Sequence, residues 1–142
     1  MATRSAIGMQ FGDIVKAVYC HNNGFPEGVG ACLLKHYNRT KTAHLLSLGN
    51  LSSLGSLTEP DPEFPHSFEK RQPNVCVFYG RDRDELDHEY QVFDTVEDYK
   101  SEFGMDVEYL YLLTIDGNWL VTTDDREESW QLLVDVLATE EA

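Results

Sequence analysis

Ser5-Ala6-Ile7-Gly8-Met9-Gln10-Phe11, then Gly12-Asp13, then Ile14-Val15-Lys16-Ala17-Val18-Tyr19-Cys20 forms two short, partly alternating apolar runs around a two-residue break. Successive side chains of a strand point to opposite faces, and Gly-Asp supplies the backbone freedom of a tight turn. The stretch therefore predicts a β-hairpin that opens a sheet. Downstream, Asn22-Asn23-Gly24 reads as a loop and Pro26 suits the first position of a helix. Val29, Leu33 and Tyr37 then recur at helical spacing. Thr40 is the expected cap of a second short helix, in which Leu45, Leu46 and Leu48 run to a stop at Gly49-Asn50.

Residues 51–74 change character, with Pro60, Pro62, Pro65 and Pro73 among charged residues and no sustained period, and they read as one long irregular loop. Val75 to Tyr79 and Tyr90 to Phe93 read as strands of a second hairpin around the charged turn Arg81 to Glu85. Asp94 with Glu97 resembles a capping box that opens a helix running to Phe103 and closing at Gly104. Glu108 to Ile115 and Asn118 to Thr123 flank Asp116-Gly117, the strongest hairpin signal of the chain. A last helix is expected from Asp124-Asp125, with Trp130, Leu133, Val134 and Leu137 on one face. The pattern predicts a single α+β domain over residues 1–142. Its largely antiparallel sheet is built from three hairpins, with helices packed on one face.

A chain of 142 residues, 42% hydrophobic and with seven Phe, seven Tyr and two Trp, has the core formers of a folded domain. Its three cysteines are an odd number, and the first residues lack the basic start and apolar run of a secretory signal. A reducing cytosol is the expected compartment, without disulfides. No apolar stretch approaches the roughly 20 residues of a membrane span, so a soluble protein is expected.

The formal charge is −14, and it is unevenly placed. Residues 1–48 hold only Asp13 and Glu27 against Arg4, Lys16, Lys35, Arg39 and Lys41, a balance of +3 that leaves −17 for the rest. The acidic part should repel DNA, so no direct DNA binding is expected, and should favour a partner with a basic surface. Asp82, Asp84, Glu85, Asp94, Glu97 and Asp98 are the candidate partner-binding residues.

The N-terminal third can instead hold an anion. Arg4, His21, Gly24, Gly28, His36 and Arg39 form the candidate ligand set, because arginine forks, imidazoles and a glycine-bearing loop before a helix all suit phosphate. A nucleotide-binding sponge or a small phosphodiesterase is the corresponding alternative. Cys20, His21, Cys32 and His36 have the ligand chemistry of zinc, but their spacing fits no standard zinc finger. No metal, cofactor or catalytic residue is assigned, and a non-enzymatic role is the expectation.

Arg4-Ser5-Ala6-Ile7-Gly8, Tyr19-Cys20-His21, Gly24-Phe25-Pro26-Glu27-Gly28-Val29-Gly30, Leu33-Leu34, His36-Tyr37 and Leu48-Gly49-Asn50-Leu51-Ser52-Ser53-Leu54-Gly55 recur in order at set spacing. Over these roughly 55 residues the chain resembles a group of small accessory proteins of tailed bacteriophages, with Asn22-Asn23 where those often carry an aromatic-acidic pair. The resemblance implies a phage protein made in the host cytoplasm. Such proteins commonly bind and disable host factors, including defence proteins, or sequester nucleotide signals. It assigns no catalytic residue. A homodimer with a structural part in phage development is a third reading.

Overall fold

The computed structural model describes residues 3–67, 69–83, 89–103, 107–123 and 130–141. Among them are strands β1 (Ser5–Phe11), β2 (Ile14–Cys20), β3 (Leu51–Ser53), β4 (Val77–Phe78), β5 (Gln91–Phe93), β6 (Tyr109–Leu113), β7 (Trp119–Thr123) and β8 (Gln131–Leu132). The helices are α1 (Ala31–His36), α2 (Arg39–Ser47), α3 (Tyr79–Arg83), α4 (Val96–Phe103) and α5 (Leu133–Glu141), and a single π-type turn at Pro26–Gly30 leads into α1. The strands form one sheet in the order β4-β3-β2-β1-β6-β7-β8, with β5 also paired to β2. Most neighbours are antiparallel, while β1 with β6 and β2 with β3 run parallel. No described helix is long and apolar enough to cross a membrane.

The first hairpin forms as its alternation predicts, with Ser5 opposite Cys20, Phe11 opposite Ile14, and Gly12 at φ +60° in the turn. The β6–β7 hairpin likewise pairs Leu113 with Trp119, and Gly117 takes φ +87°. Left-handed backbone is what glycine supplies without a Cβ penalty.

The second predicted hairpin is corrected. Val77 and Phe78 pair with Leu51–Ser53, and Gln91–Phe93 pairs with Val15–Ala17, so the two segments go to different neighbours. The charged turn between them begins as α3.

Helices on one face are also corrected, since both faces of the sheet are covered. Ile7, Met9, Val18, Tyr111 and Leu113 face Leu33, Leu45, Leu46 and Leu133 of α1, α2 and α5. Ala6, Val15, Ala17, Leu110 and Leu112 face Tyr99 and Phe103 of α4, with Phe93 beside them. Central strands of this kind must be apolar on both sides, which removes the alternation that marks a half-solvated strand. The small residues Ala6, Gly8 and Ala17 line the α4 side. A Cβ at Gly8 would stand 2.9 Å from the Tyr99 ring, so glycine makes room for the tyrosine.

Helix ends differ from the expected caps by a residue or two. Asn38, not Thr40, caps α2, its side chain accepting the Lys41 N–H at 2.8 Å, and Gly49 at φ +91° ends it. Thr95, not Asp94, caps α4 by accepting the Asp98 N–H at 3.0 Å. Each satisfies an N–H that the first turn leaves without a helical partner. Gln131 and Leu132 form β8, and α5 begins at Leu133. The predicted start at Asp124-Asp125 and the stop at Gly104 lie outside the described residues.

The Pro-rich segment is pinned at many points. Leu51–Ser53 is β3, and Leu57 bridges to Val75. The Gln72 side chain accepts the Asp61 N–H at 2.8 Å and donates to the Asp61 and Phe64 carbonyls at 3.0 Å each. The Gln72 N–H donates to His66 Nδ1 at 3.0 Å, and His66 Nε2 lies 3.4 Å from Asp82 Oδ2. Both of those side chains are almost fully buried, exposed by 3% and 4%. One glutamine thus closes the loop, and one histidine anchors it to α3.

Candidate functional site

The candidate anion ligands divide between the two ends of β1. Arg4 and His21 flank the Ser5–Cys20 pair, and Gly24 donates its N–H to the Thr3 carbonyl at 2.8 Å. Arg39 lies at the other end, donating to the Gln10 carbonyl at 3.0 Å and the Thr114 carbonyl at 2.9 Å. At about 3.3 Å per residue, the six steps of β1 separate the two groups by roughly 20 Å. His36 is exposed at the last turn of α1.

Local contacts account for most of the set. A Cβ on Gly24 would fall 2.8 Å from both the Ser5 Cβ and the Thr3 carbonyl, while the Gly24 carbonyl accepts the Tyr111 hydroxyl at 2.6 Å. Gly28 is held as close to the Asn23 carbonyl. These glycines serve backbone packing under the strand ends. Arg4 forms an ion pair with Glu108 at 3.5 Å and donates its N–H to the same carboxylate at 2.7 Å. Arg39 ties the tips of two hairpins together, its guanidinium 5.6 Å from the Phe11 ring centre. Substituting Arg39→Met keeps the apolar stem but strips two carbonyls of their donors. It is expected to cost about 1–3 kcal/mol in urea unfolding. An unshifted midpoint would show that something else holds these tips.

Tyr19 and His21 do come together. The Tyr19 hydroxyl lies 2.7 Å from His21 Nδ1. Burial, with a smaller push from Tyr79, raises the Tyr19 phenol above its ordinary value. The Tyr19 phenol therefore keeps its proton beside the Arg4 and Glu108 charges. Sequence reading singled out His21 but not this hydrogen bond; the i, i+2 spacing across the end of β2 was the signal for it.

The thiols, Cys20 and Cys76 buried and Cys32 half-buried, are not activated. Burial raises Cys20 to about 12 and Cys32 to about 11, and it raises Cys76 as well. Cys76 Sγ accepts the Gly55 N–H at 3.2 Å and lies 3.2 Å from the Tyr37 hydroxyl, which itself donates to the Gly55 carbonyl at 2.6 Å. A thiol so placed holds little thiolate at neutral pH and is a poor nucleophile. Among the described residues no three or more His, Cys, Asp or Glu side chains are grouped to hold a metal ion.

Of the candidate partner residues, Asp82 must be withdrawn, because it is an internal anchor. Its carboxylate accepts from Arg81 Nε at 3.0 Å and from the Phe78 N–H at 2.9 Å, besides facing His66. Burial alone would raise this carboxyl; Arg81, the Phe78 N–H and His66 more than offset that and hold it below the ordinary range. Asp84 and Glu85 lie outside the described residues. Asp94, Glu97 and Asp98 are exposed around the start of α4, where carboxylates also favour the positive end of the helix dipole. They adjoin β5, where Val92 and, just before the strand, Tyr90 are exposed, two side chains that sequence reading assigned to a strand but not to a surface.

Compared with models of protein families, with curated proteins and with solved structures, the chain matches none.

Proposed function

We propose that this is a phage-encoded, non-enzymatic acidic protein that binds a host or defence factor in the host cytoplasm and modulates it. The observation that carries the reading is the exposed carboxylate group Asp94, Glu97 and Asp98 at the head of α4, in a chain of net charge −14. Arg39, one of the anion-binding candidates, spends two donors on carbonyls of its own fold. Opposite fields steer association and suppress like-charged partners, nucleic acid among them. The test is capture from bacterial lysate at low salt, followed by reconstitution with the purified partner. A basic protein should be recovered, and its affinity should weaken progressively as salt screens the charges. Recovery of no basic partner sinks the proposal.

A nucleotide site is the second reading, now confined to Arg4, Tyr19 and His21, where a guanidinium and a hydrogen-bonded Tyr–His pair share one end of the sheet. It predicts a thermal shift with a nucleotide, and product formation if the site is a phosphodiesterase. Neither response across a nucleotide panel removes this alternative.

A further inference from the structure

We infer that the outer edge of β5 receives the partner, which adds an extended, basic segment of its own chain to the sheet as a further strand. This rests on the proposed acidic binding role and gives it a surface. β5 pairs with β2 through Val15–Phe93, Lys16–Val92 and Ala17–Gln91, and among the described residues it pairs with no other strand. An unpaired edge offers a row of N–H and C=O groups, and folded proteins ordinarily guard such edges with lysine, proline or a cover. Here the edge carries apolar surface instead: Val92 is 54% and Tyr90 37% exposed, two residues apart and so on one side of the extended chain. Phe93 turns the other way into the core beside Tyr99 and Phe103, which fixes the strand's register.

Lys16, the neighbour of Val92 on β2, does not reach out as a guard. Its ammonium lies 5.3 Å from the Tyr90 ring centre and 4.8 Å from that of Phe11, held over the two ring faces. Beyond the ends of the strand stand exposed Glu89 on one side and Asp94, Glu97 and Asp98 on the other, forming no ion pair with a cation among the described residues. The charge pattern selects the occupant. Two copies joined through this edge would set carboxylate against carboxylate in either orientation, which is unfavourable across strands. A foreign segment alternating apolar residues with Lys or Arg has the reverse match. Its apolar side chains lie along Val92 and Tyr90, and its cations meet the carboxylates at the two ends. In strand addition of this kind the main chain supplies affinity and the alternate side chains supply choice.

The experiment titrates the full-length ¹⁵N-labelled protein with the peptide Lys-Val-Lys-Val-Lys-Val-Lys and with a control in which the central Val is Pro. The first peptide should shift the Gln91, Val92 and Phe93 amides at low salt and lose affinity as salt rises. The control, unable to donate from its centre, should bind at least about tenfold more weakly. Val92→Lys, a change at an exposed position, should weaken the first peptide by a similar factor while leaving the unfolding midpoint nearly unchanged. Equal binding of both peptides, shifts confined to other surfaces, no shifts, or an unaffected Val92→Lys variant overturns the inference. A basic lysate partner that binds Val92→Lys as tightly as the native protein refutes this edge while leaving the acidic binding role intact. Failure of the native protein to capture any basic partner refutes that role itself.

Discussion

Tyr99→Ala is expected to lower stability by about 3–5 kcal/mol, the range for removing a large aromatic side chain from a core. Tyr99 is fully buried at the centre of the α4 side of the sheet, 5.5 Å from the Phe93 ring, edge-on to Phe103 at 6.0 Å and stacked on Trp130 at 6.2 Å. Its hydroxyl donates to the Tyr111 carbonyl at 2.8 Å, tying α4 to β6. Glycine at position 8 leaves the ring room against β1, so deletion opens a void bounded by backbone, which cannot collapse to fill it. Tyr99→Phe separates the two contributions: it keeps the ring, loses one hydrogen bond, and should cost about 1 kcal/mol. Denaturant unfolding of both variants checks this. A loss near 1 kcal/mol for both would mean that α4 is only loosely docked.

The second large effect is expected at Asp82. Removing one partner of a buried ion pair strands the other, commonly at 3–5 kcal/mol, and Asp82→Ala should fall near the lower end, about 3 kcal/mol, because Arg81 retains some access to water. Arg81 also donates to the Thr58 and Cys76 carbonyls, and His66 would lose its acidic neighbour, so the Pro-rich segment should loosen together with α3. The pH dependence follows from the direction of the shift. The folded carboxyl lies below its ordinary 3.8, so the unfolded chain takes up the proton first. The contribution is therefore complete above about pH 5 and is lost as pH falls through the folded value. Native protein should lose stability across that acid range more steeply than Asp82→Ala, as urea midpoints between pH 3 and 7 would show. Parallel curves would place the acid sensitivity in another group.

Local signals were legible and distant partners were not. Gly12 and Gly117 betrayed their hairpins because a two-residue or Asp-Gly break needs left-handed backbone wherever it occurs. Val77-Phe78 carried no comparable mark of its neighbour: it joins Leu51–Ser53 across the Pro-rich segment, and a strand of two or three residues has no period to read. The two-sided burial of β1 was hidden for a related reason. Ala6, Ile7, Gly8 and Met9 are all buried, so size rather than polarity distinguishes the faces, small toward Tyr99 and large toward the other helices.

Charge deceived in the same manner at the candidate sites. Asp82 sits in a run of alternating charges that reads as solvated, and its burial depends on His66, sixteen positions earlier. Arg39 had the chemistry to hold a phosphate, but a sequence does not say where a guanidinium points. Asp94, Glu97 and Asp98 kept the exposure expected of them, and what remained unread was the neighbouring edge of β5.

The parallel pairing of β1 with β6 also governs when the molecule can be made. Ser5 lies beside Tyr109, and Arg4 bonds Glu108 across 104 positions, so β1 leaves the ribosome well before its neighbour β6. The β1–β2 hairpin can close before β6 is made, but the flank of β1 that β6 covers stays bare until then. A nascent or prematurely terminated product ending before residue 109 therefore carries an apolar central strand with an open flank, the kind of surface that chaperones hold and that aggregates recruit.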